Sequence, residues 1–363
     1  MEKLTEDVQK KTSVSQDASK DYEEKKDLML DFVNEAMSKR PDIVKLIGGN
    51  PLQMMFDNHR NHVNFMVNVF GFSLYEMLVR IVPWVYKSYH NHGFSYDYFP
   101  VELKTWKEAA NKFLSPSSAR EINKIYDWLI EKHEKMIEFS EKQTDFVIPL
   151  EKNWQEKKNK FLSYLLKADF DYALKFSDKF LKSPDDIQNF YLKIVQPALY
   201  DVGNLWEAGR ISVAEEHLAT AIVGRVMANI YTHFPKTKKK AKAIVTSSPN
   251  EFHEMGGRIV ADFLEVDGWD VYYLGANIPD QELIKLIKKT KPKLLAISVT
   301  MPFNIENAQR VIKTVKKLKN VNPKIIVGGI AFNMMPDIYK KIGADFWAND
   351  AKKAVEVASQ FKD

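Results

Sequence analysis

The sequence of 363 residues contains no cysteine, which excludes disulfide bonds, thiolate metal sites and cysteine nucleophiles. It has no run of 18 apolar residues, so it predicts no membrane-spanning helix. It also lacks the ligand spacing of a zinc finger and any obvious helix-turn-helix segment, so no DNA-binding domain is evident. Its first residues are charged rather than apolar, which is not typical of a signal peptide. We therefore expect a cytoplasmic protein.

The composition is that of a globular protein with room for two or three domains. Apolar residues make up 45% of the chain and charged residues 28%. The formal net charge of +5 is small for this length, and the lysines look dispersed apart from one run at 236–240. That run is compatible with a nucleic-acid contact, although a solvated linker explains it better.

The first 145 residues divide into a polar tail and a helical module. Residues 1–27 are rich in Lys, Glu, Asp, Ser and Gln and have few large apolar groups, which predicts a disordered tail or a helix that needs a partner. Residues 28–145 place apolar groups at helical spacing and predict an all-α module. We expect one long apolar stretch from Met54 to Val82, interrupted near Gly71, and one helix from Ile122 to Phe139.

Residues 153–235 predict a bundle of about four helices. Ser183-Pro184-Asp185 is a strong signal that one helix stops and another starts, since serine or aspartate caps a helix and proline suits its first turn. Ser212 precedes Glu215 by three residues, which is the spacing of a capping box. The apolar stripe that follows repeats every four residues, as in a helix packed within a bundle.

Residues 241–363 alternate short β-rich runs with amphipathic segments, which predicts a parallel sheet with right-handed crossovers. The expected fold class is therefore an α/β, Rossmann-like (flavodoxin-like) domain with five parallel strands, preceded by the four-helix cap and the all-α module. The strands are expected near 243–247, 270–274, 294–298, 324–328 and 344–347. The helices are expected near 254–266, 280–290, 304–318, 335–341 and 351–361.

Three groups of residues follow predicted strands, at the edge where open parallel sheets bind ligands. Glu251-Phe252-His253-Glu254-Met255-Gly256 follows the first strand, Ser298-Val299-Thr300 ends the third, and Gly328-Gly329 ends the fourth. A histidine at such a turn can reach a ligand, a carboxylate two residues earlier can hold its ring, and a glycine permits close approach. The groups are separated by 41 and 27 residues.

This pattern resembles the cobalamin-binding domain of the methionine synthase and corrinoid-protein type, which has D-x-H-x-x-G, then S-x-L, then G-G at the same spacings. The resemblance covers residues 241–363, with Glu251 in place of Asp and Thr300 in place of Leu. It implies that His253 is the lower ligand of cobalt and that Glu251 accepts the proton of its other ring nitrogen. It further implies a pocket for the nucleotide tail, formed by Gly256, Ser298, Thr300, Gly328 and Gly329. The alternative is a flavodoxin-like domain in which these residues form ordinary turns.

A second pattern lies in the predicted bundle, where Trp206 stands ten residues before Glu216-His217. This W-x9-E-H spacing resembles the cobalamin-dependent light sensors, in which the tryptophan packs over the upper ligand. The resemblance implies adenosylcobalamin or methylcobalamin as cofactor and a sensory or regulatory protein without catalytic residues. In the best-known sensors a histidine directly follows the tryptophan and binds cobalt after light, whereas here Glu207 stands there.

Three questions stay open from the sequence. The alternative to a sensor is a corrinoid methyl carrier of a methyltransferase system, and a third possibility is cobalamin storage or delivery. The N-terminal module contains the histidines His59, His62, His90 and His92. They could form a metal or tetrapyrrole pocket, belong to an interface with another protein or subunit, or be ordinary hydrogen-bonded residues of the core and surface. Because nothing in the sheet or bundle looks like an effector, we expect the N-terminal helices to bind a protein partner or to self-associate.

Overall fold

The computed structural model describes residues 1–11, 13–144, 146–234 and 241–361. It divides into two compact units, one formed by Met1–Thr144 with Glu207–Gly209 and the other by Asp145–Trp206 with Arg210–Asp363. The lysine-rich run at 236–240 lies outside the described residues, so its interpretation as a linker stays a prediction. No helix of the described residues is long and apolar enough to cross a membrane.

The N-terminal unit is all α-helical, as its apolar spacing predicts. Its helices are α1 (Glu2–Lys11), α2 (Gln16–Ser38), α3 (Ile43–Leu46), α4 (Leu52–Phe72), α5 (Tyr75–Asn91), α6 (Tyr98–Phe113), α7 (Pro116–Glu131) and α8 (His133–Glu141). The long apolar stretch breaks at Ser73, which adopts a left-handed conformation with φ 57°, and not at Gly71. The predicted helix over 122–139 is two helices, divided at Lys132.

The prediction of a disordered tail over residues 1–27 is wrong for the described residues. Val8 of α1 and Tyr22 of α2 are fully buried. Ser15 caps α2 by accepting a hydrogen bond from the Ala18 backbone N–H. The Tyr22 hydroxyl lies 2.8 Å from that of Tyr126. The apolar groups of this segment are few, but they lie on the helix faces that meet the rest of the unit, so burial offsets the ordering cost.

The bundle of the second unit contains α9 (Lys152–Leu166), α10 (Phe170–Ser177), α11 (Pro184–Phe190), α12 (Gln196–Glu207) and α13 (Val213–Tyr231). A π-helical turn, Tyr191–Val195, joins α11 directly to α12, so the five helices form four rods. Ser212 and Glu215 form the predicted capping box at the start of α13. Phe161, Phe190 and other apolar groups of all four rods share one core.

The remainder of this unit is a five-stranded parallel sheet in the order β2-β1-β3-β4-β5, which confirms the predicted fold class. The strands are β1 (Lys242–Ser247), β2 (Asp270–Tyr273), β3 (Leu294–Ser298), β4 (Lys324–Gly328) and β5 (Phe346–Ala348). The helices are α14 (Met255–Val266), α15 (Asp280–Thr290), α16 (Ile305–Lys316), α17 (Ile330–Met334), α18 (Ile338–Lys341) and α19 (Ala351–Ala358). In this order the chain reverses direction across the sheet between β1 and β3, so their carboxyl ends open onto a crevice.

The bundle and the sheet share an apolar contact and a buried hydrogen bond. Met255, Ile259 and Phe263 of α14 pack into the bundle core. The Tyr191 hydroxyl, in the π-helical turn, donates to Asp262 Oδ2 at 2.8 Å. Since α14 follows directly on the loop after β1, this contact fixes the bundle against the helix that leads away from His253.

Candidate functional site

The loop between β1 and α14 presents His253 at the crevice. The side chain of His253 is 57% exposed, whereas that of Glu251 is 1% exposed. His253 Nδ1 lies 2.5 Å from Glu251 Oε1. Because an ionised carboxylate can only accept, Nδ1 carries the proton in this hydrogen bond. The other ring nitrogen, Nε2, is then the basic one in the neutral ring, which is the tautomer that binds a metal.

Glu251 also joins the loop after β1 to the loop after β3. Its Oε2 accepts hydrogen bonds from the backbone N–H groups of Thr300 at 3.0 Å and Met301 at 2.9 Å, and from Asn304 Nδ2 at 3.2 Å. The side chain of glutamate, one methylene longer than aspartate, therefore spans the switch point between the two strands. The carboxylate has donors on both oxygens, so its orientation is fixed before any ligand binds.

The electrostatics of the pair keep Glu251 charged. Burial by itself raises the pKa of Glu251, but the hydrogen bonds from His253, Met301 and Asn304 outweigh it and leave this pKa below its ordinary value. For His253, desolvation lowers the pKa, while the hydrogen bond and charge of Glu251 raise it by more. The negative charge of Glu216, at the start of α13, raises the pKa of His253 further.

Asn304 is a part of this site that sequence reasoning missed. It is fully buried and exchanges hydrogen bonds with Asn250, donating to the backbone oxygen of Asn250 and accepting from its Nδ2, both at 3.1 Å. Its position directly before the amphipathic α16 is typical of a helix N-cap, which would have marked the residue. Its side chain makes no capping bond and supports the Glu251 loop instead.

The small and hydroxyl residues lie where the pattern places them, at the carboxyl ends of neighbouring strands. Ser298 ends β3 in register with Ser247 of β1 and Gly328 of β4. Gly256 is exposed, and a Cβ added to it would come no closer than 3.6 Å to another group, Ser298 Oγ. Ser298 and Thr300 are half-buried. A side chain at position 256 would therefore be in ordinary contact with Ser298, and Gly256 and the two hydroxyl residues are all at least partly accessible to solvent.

The two glycines at the end of β4 allow close backbone packing, and their predicted place in the pocket of the nucleotide tail stays a prediction. A Cβ at Gly328 would lie 2.8 Å from the backbone oxygen of Ala348. A Cβ at Gly329, whose φ is +99°, would lie 2.3 Å from the backbone oxygen of Val299. The room expected for a ligand in these two directions is therefore filled by backbone, and the glycines permit close packing at the sheet edge.

The bundle contributes polar and apolar groups at the start of α13. His217 Nδ1 lies 2.7 Å from Glu216 Oε2, and Glu216 Oε1 accepts from the Thr220 hydroxyl at 3.0 Å. Trp206 is half-buried near the end of α12. Leu218 of α13 is exposed, and Phe252, beside the candidate ligand, is 70% exposed. Phe252, exposed beside the candidate ligand, offers apolar surface to a ligand at this loop.

The histidines of the N-terminal unit form hydrogen bonds within that unit, in its interior and at its surface. His59 is fully buried, with Nδ1 2.7 Å from Asn34 Oδ1 and Nε2 2.8 Å from the Tyr98 hydroxyl. His62 Nε2 lies 3.3 Å from the Tyr126 hydroxyl. Hydrogen bonds to backbone oxygens also satisfy His90 and His92. Within the described ranges no group of three or more His, Asp or Glu side chains is arranged to hold a metal.

Comparison with protein families identifies the class to which the crevice belongs. Residues 241–356 match a family model described as B12 binding domain, and residues 158–231 match a second model of the same description. The chain is therefore a member of the B12-binding domain family, and it is a cobalamin-binding protein. Neither model extends into residues 1–144, which form most of the N-terminal unit.

Individual relatives fall into two kinds. Dimethylamine corrinoid protein 3 of Methanosarcina acetivorans is 26% identical over 173 residues, which are 46% of this chain and 79% of the relative. The HTH-type transcriptional repressor CarH of Myxococcus xanthus is 28% identical over 142 residues, 38% of this chain and 46% of the repressor, so less than half of that protein is matched. The monomethylamine corrinoid protein of Methanosarcina barkeri shares the fold, with a TM-score of 0.50, 21% identity, and coverage of 57% of this chain and 98% of that one.

Proposed function

We propose that the chain is a cobalamin-dependent sensor in which His253 is the lower ligand of cobalt. The observation that carries this assignment is the short hydrogen bond between Glu251 and His253 Nδ1, which leaves Nε2 basic and exposed at the switch point. The donors on Glu251 Oε2 hold that carboxylate, and through it the ring, in one orientation. Such support raises the basicity of a histidine ligand and reduces the cost of ordering it on binding.

The nucleotide tail of the cofactor is proposed to lie beside Gly256, where Ser298 and Thr300 offer hydroxyl groups. The exposure of Gly256, its position beside Ser298 and the half-buried position of both hydroxyl residues support this placement. Phe252, a large exposed side chain directly before His253, and Leu218, an exposed side chain one residue after His217, are proposed to supply apolar surface for the macrocycle. These two residues extend the predicted set of contacts.

The upper face is proposed to be covered by Trp206, Glu216 and His217. The effect of the Glu216 charge, which raises the pKa of His253, supports this placement. When bound, adenosylcobalamin or methylcobalamin supplies a cobalt–carbon bond that visible light breaks. Trp206 is half-buried at the end of α12, where its ring can pack differently once the space beneath it changes. The N-terminal unit is the proposed output, through self-association or a protein partner.

A methyl carrier of a methyltransferase system is the second candidate. It is favoured by the match to the dimethylamine corrinoid protein of Methanosarcina acetivorans, which extends over 79% of that relative. In this case α12 and α13 would cover a reactive methyl group and dock against a methyltransferase. The two candidates share His253 and differ in what the upper face does.

Absorption spectra of the purified full chain, loaded with each alkylcobalamin in the dark, distinguish the candidates. A sensor loses its alkyl-cobalt bands under green light and changes its oligomeric state in the same preparation. Methyl transfer to a thiol in the presence of a methyltransferase, without a light-dependent change in assembly, supports the carrier. His253→Ala should abolish the His-on spectrum, whereas the control His233→Ala, an exposed histidine at the end of α13, should leave it intact. An unchanged His253→Ala spectrum contradicts both.

A further inference from the structure

The charges of the sheet domain are segregated in the sequence. Between Leu283 and Pro336 there are eleven basic residues and a single acid, Glu306, a net charge of +10. Because the whole chain has a net charge of +5, the remainder of the chain is net negative, at −5. The basic segment is therefore a local concentration of charge, and general basic composition does not explain it.

Most of these basic residues, together with Lys242 from outside the segment, lie at one edge of the sheet. Lys242 begins β1, Lys293 directly precedes β3 and Lys324 begins β4. These strands are neighbours: the Lys293 N–H donates to the Lys242 backbone oxygen at 2.9 Å, and the Lys324 N–H donates to the Lys293 backbone oxygen at 2.8 Å. Adjacent strands lie about 4.8 Å apart, so the three lysines form a staggered row along this edge, in which Lys324 lies in register with Leu294 and not with Lys293.

The carboxyl ends of two helices add to this row. Helices of a parallel α/β domain run opposite to the strands, so they end at the edge where the strands begin. The last turn and exit of α15 carry Lys288, Lys289 and Lys291, and those of α16 carry Lys316, Lys317 and Lys319. All six are exposed, as are the three lysines of the row. We call these nine residues the lysine edge.

Intramolecular contacts do not neutralise the lysine edge. Lys316 forms an ion pair with Asp345 at 3.2 Å, and Asp270 lies in register with Lys242 at the outer strand. Within the ranges that the structure describes, seven of the nine form no ion pair: Lys242, Lys288, Lys289, Lys291, Lys317, Lys319 and Lys324. Cations in a last helical turn favour the helix dipole, which explains Lys288, Lys289 and Lys316. That effect does not explain a row of like charges across three strands, which repel one another.

We infer that the lysine edge binds the phosphate backbone of duplex nucleic acid, without reading base sequence. Lysine is a point charge suited to phosphate contacts, and the edge contains no arginine to recognise a base by a bidentate pair. Protein interfaces have an apolar core, and helices that lie on membranes present an apolar face as well as charge. None of the exposed large hydrophobic side chains of the described residues lies between 253 and 361. The edge is opposite the crevice, so this inference does not depend on the proposed sensor function.

The test is binding of the full, cobalamin-loaded chain to two DNA duplexes of unrelated sequence, by fluorescence anisotropy over about 50–200 mM salt. We expect equal affinity for both sequences and a linear fall of log K with log salt. The triple variant Lys242→Gln, Lys317→Gln, Lys324→Gln should reduce the salt slope by about 2–3 and weaken binding by about tenfold or more at 100 mM salt. The matched control replaces three exposed lysines of the bundle, Lys160, Lys167 and Lys182, by Gln and should match the wild type.

Retention of cobalamin by both triple variants shows that they are folded. The inference is overturned if the wild type does not bind either duplex at the lowest salt, or if the two triple variants lose equal affinity. It is also overturned if the chain binds vesicles of phosphatidylcholine and phosphatidylserine but no duplex, which would assign the edge to a membrane surface. A strong preference for one of the two sequences would contradict binding through phosphates alone.

Discussion

Replacement of Glu251 by Gln tests whether this carboxylate sets the protonation of the proposed cobalt ligand. Oε2 of Glu251 accepts three hydrogen bonds, from Thr300 N, Met301 N and Asn304 Nδ2, while Oε1 accepts one from His253 Nδ1 and a longer one, at 3.3 Å, from the His253 backbone N–H. A glutamine can keep its oxygen at the three donors and turn its NH2 group to His253. The opposite orientation would leave buried donors unsatisfied, at about 1–3 kcal/mol each, so the first orientation is favoured.

In the favoured orientation, His253 Nδ1 must accept a hydrogen bond and the ring proton moves to Nε2. Nε2 then has no free lone pair for cobalt until the ring changes tautomer and loses its new hydrogen bond. Loss of such a supporting partner typically lowers metal affinity by about 10–100-fold. That range corresponds to about 1.4–2.8 kcal/mol of binding free energy. We therefore expect Glu251→Gln to weaken cobalamin binding by this factor and to reduce the His-on spectrum at a given cofactor concentration.

The assay is titration of the apoprotein with cobalamin, followed by absorption, with the unfolding temperature measured in parallel. Glu254→Gln is the matched control, because it removes the same charge from a half-buried residue of the same loop without altering the hydrogen bond between Glu251 and His253. Glu251→Asp keeps the charge and should lose less affinity than Glu251→Gln. If Glu251→Gln binds within about twofold of the control, with an unchanged spectrum, the tautomer argument is refuted.

Three further predictions concern the upper face, the N-terminal unit and the domain boundary. Trp206→Ala should change which upper ligand is retained and how fast it is photolysed, while His253 stays bound to cobalt. If spectra show neither change, Trp206 does not cover the upper face. Burial raises the pKa of Glu102 to about 7, so its contribution to stability is present below its unfolded pKa and lost as pH rises. In the wild type, ionisation of Glu102 should lower the free energy of unfolding by about 1.4 kcal/mol between about pH 6 and pH 8. Glu102→Gln should abolish this decrease in denaturant unfolding, and an unchanged dependence on pH would refute the prediction. A chain beginning at Phe146, whose ring lies 4.8 Å from that of Tyr200, should still bind cobalamin; if it fails while the full chain binds, the N-terminal helices complete the site.

The sheet domain is the part of the fold that the sequence predicts best, because its central strands are buried. The prediction of strands at 294–298 and 324–328 is exact, because β3 and β4 are covered on both faces and read as continuous apolar runs. β5 is three residues long and lies at Phe346–Ala348, later than the predicted 344–347, since a short edge strand has a weak pattern. The helix break at Ser73 lies two residues after the predicted Gly71, whereas no proline or glycine adjoins the break at Lys132, so no local signal marks that one.

The candidate site was predictable as a set of positions but not as a network. Motif spacing is a property of the chain and places Glu251, His253 and Ser298 at one edge of the sheet. The bonds from Glu251 to the loop of Thr300, and the role of Asn304, join residues 49 to 53 positions apart. Such contacts depend on how two loops approach one another in the folded state, and this information is not contained in either segment alone.

Helix α16 connects the two edges of the sheet as a single rigid rod. Its twelve residues span about 18 Å, from Ile305, directly after the Asn304 that holds Glu251, to Lys316 of the lysine edge. A movement of the Glu251 loop on cofactor binding would be transmitted along this rod as a displacement of the lysines at its far end. Linkage would then be reciprocal: if cobalamin changes the affinity for nucleic acid by some factor, nucleic acid changes the affinity for cobalamin by the same factor.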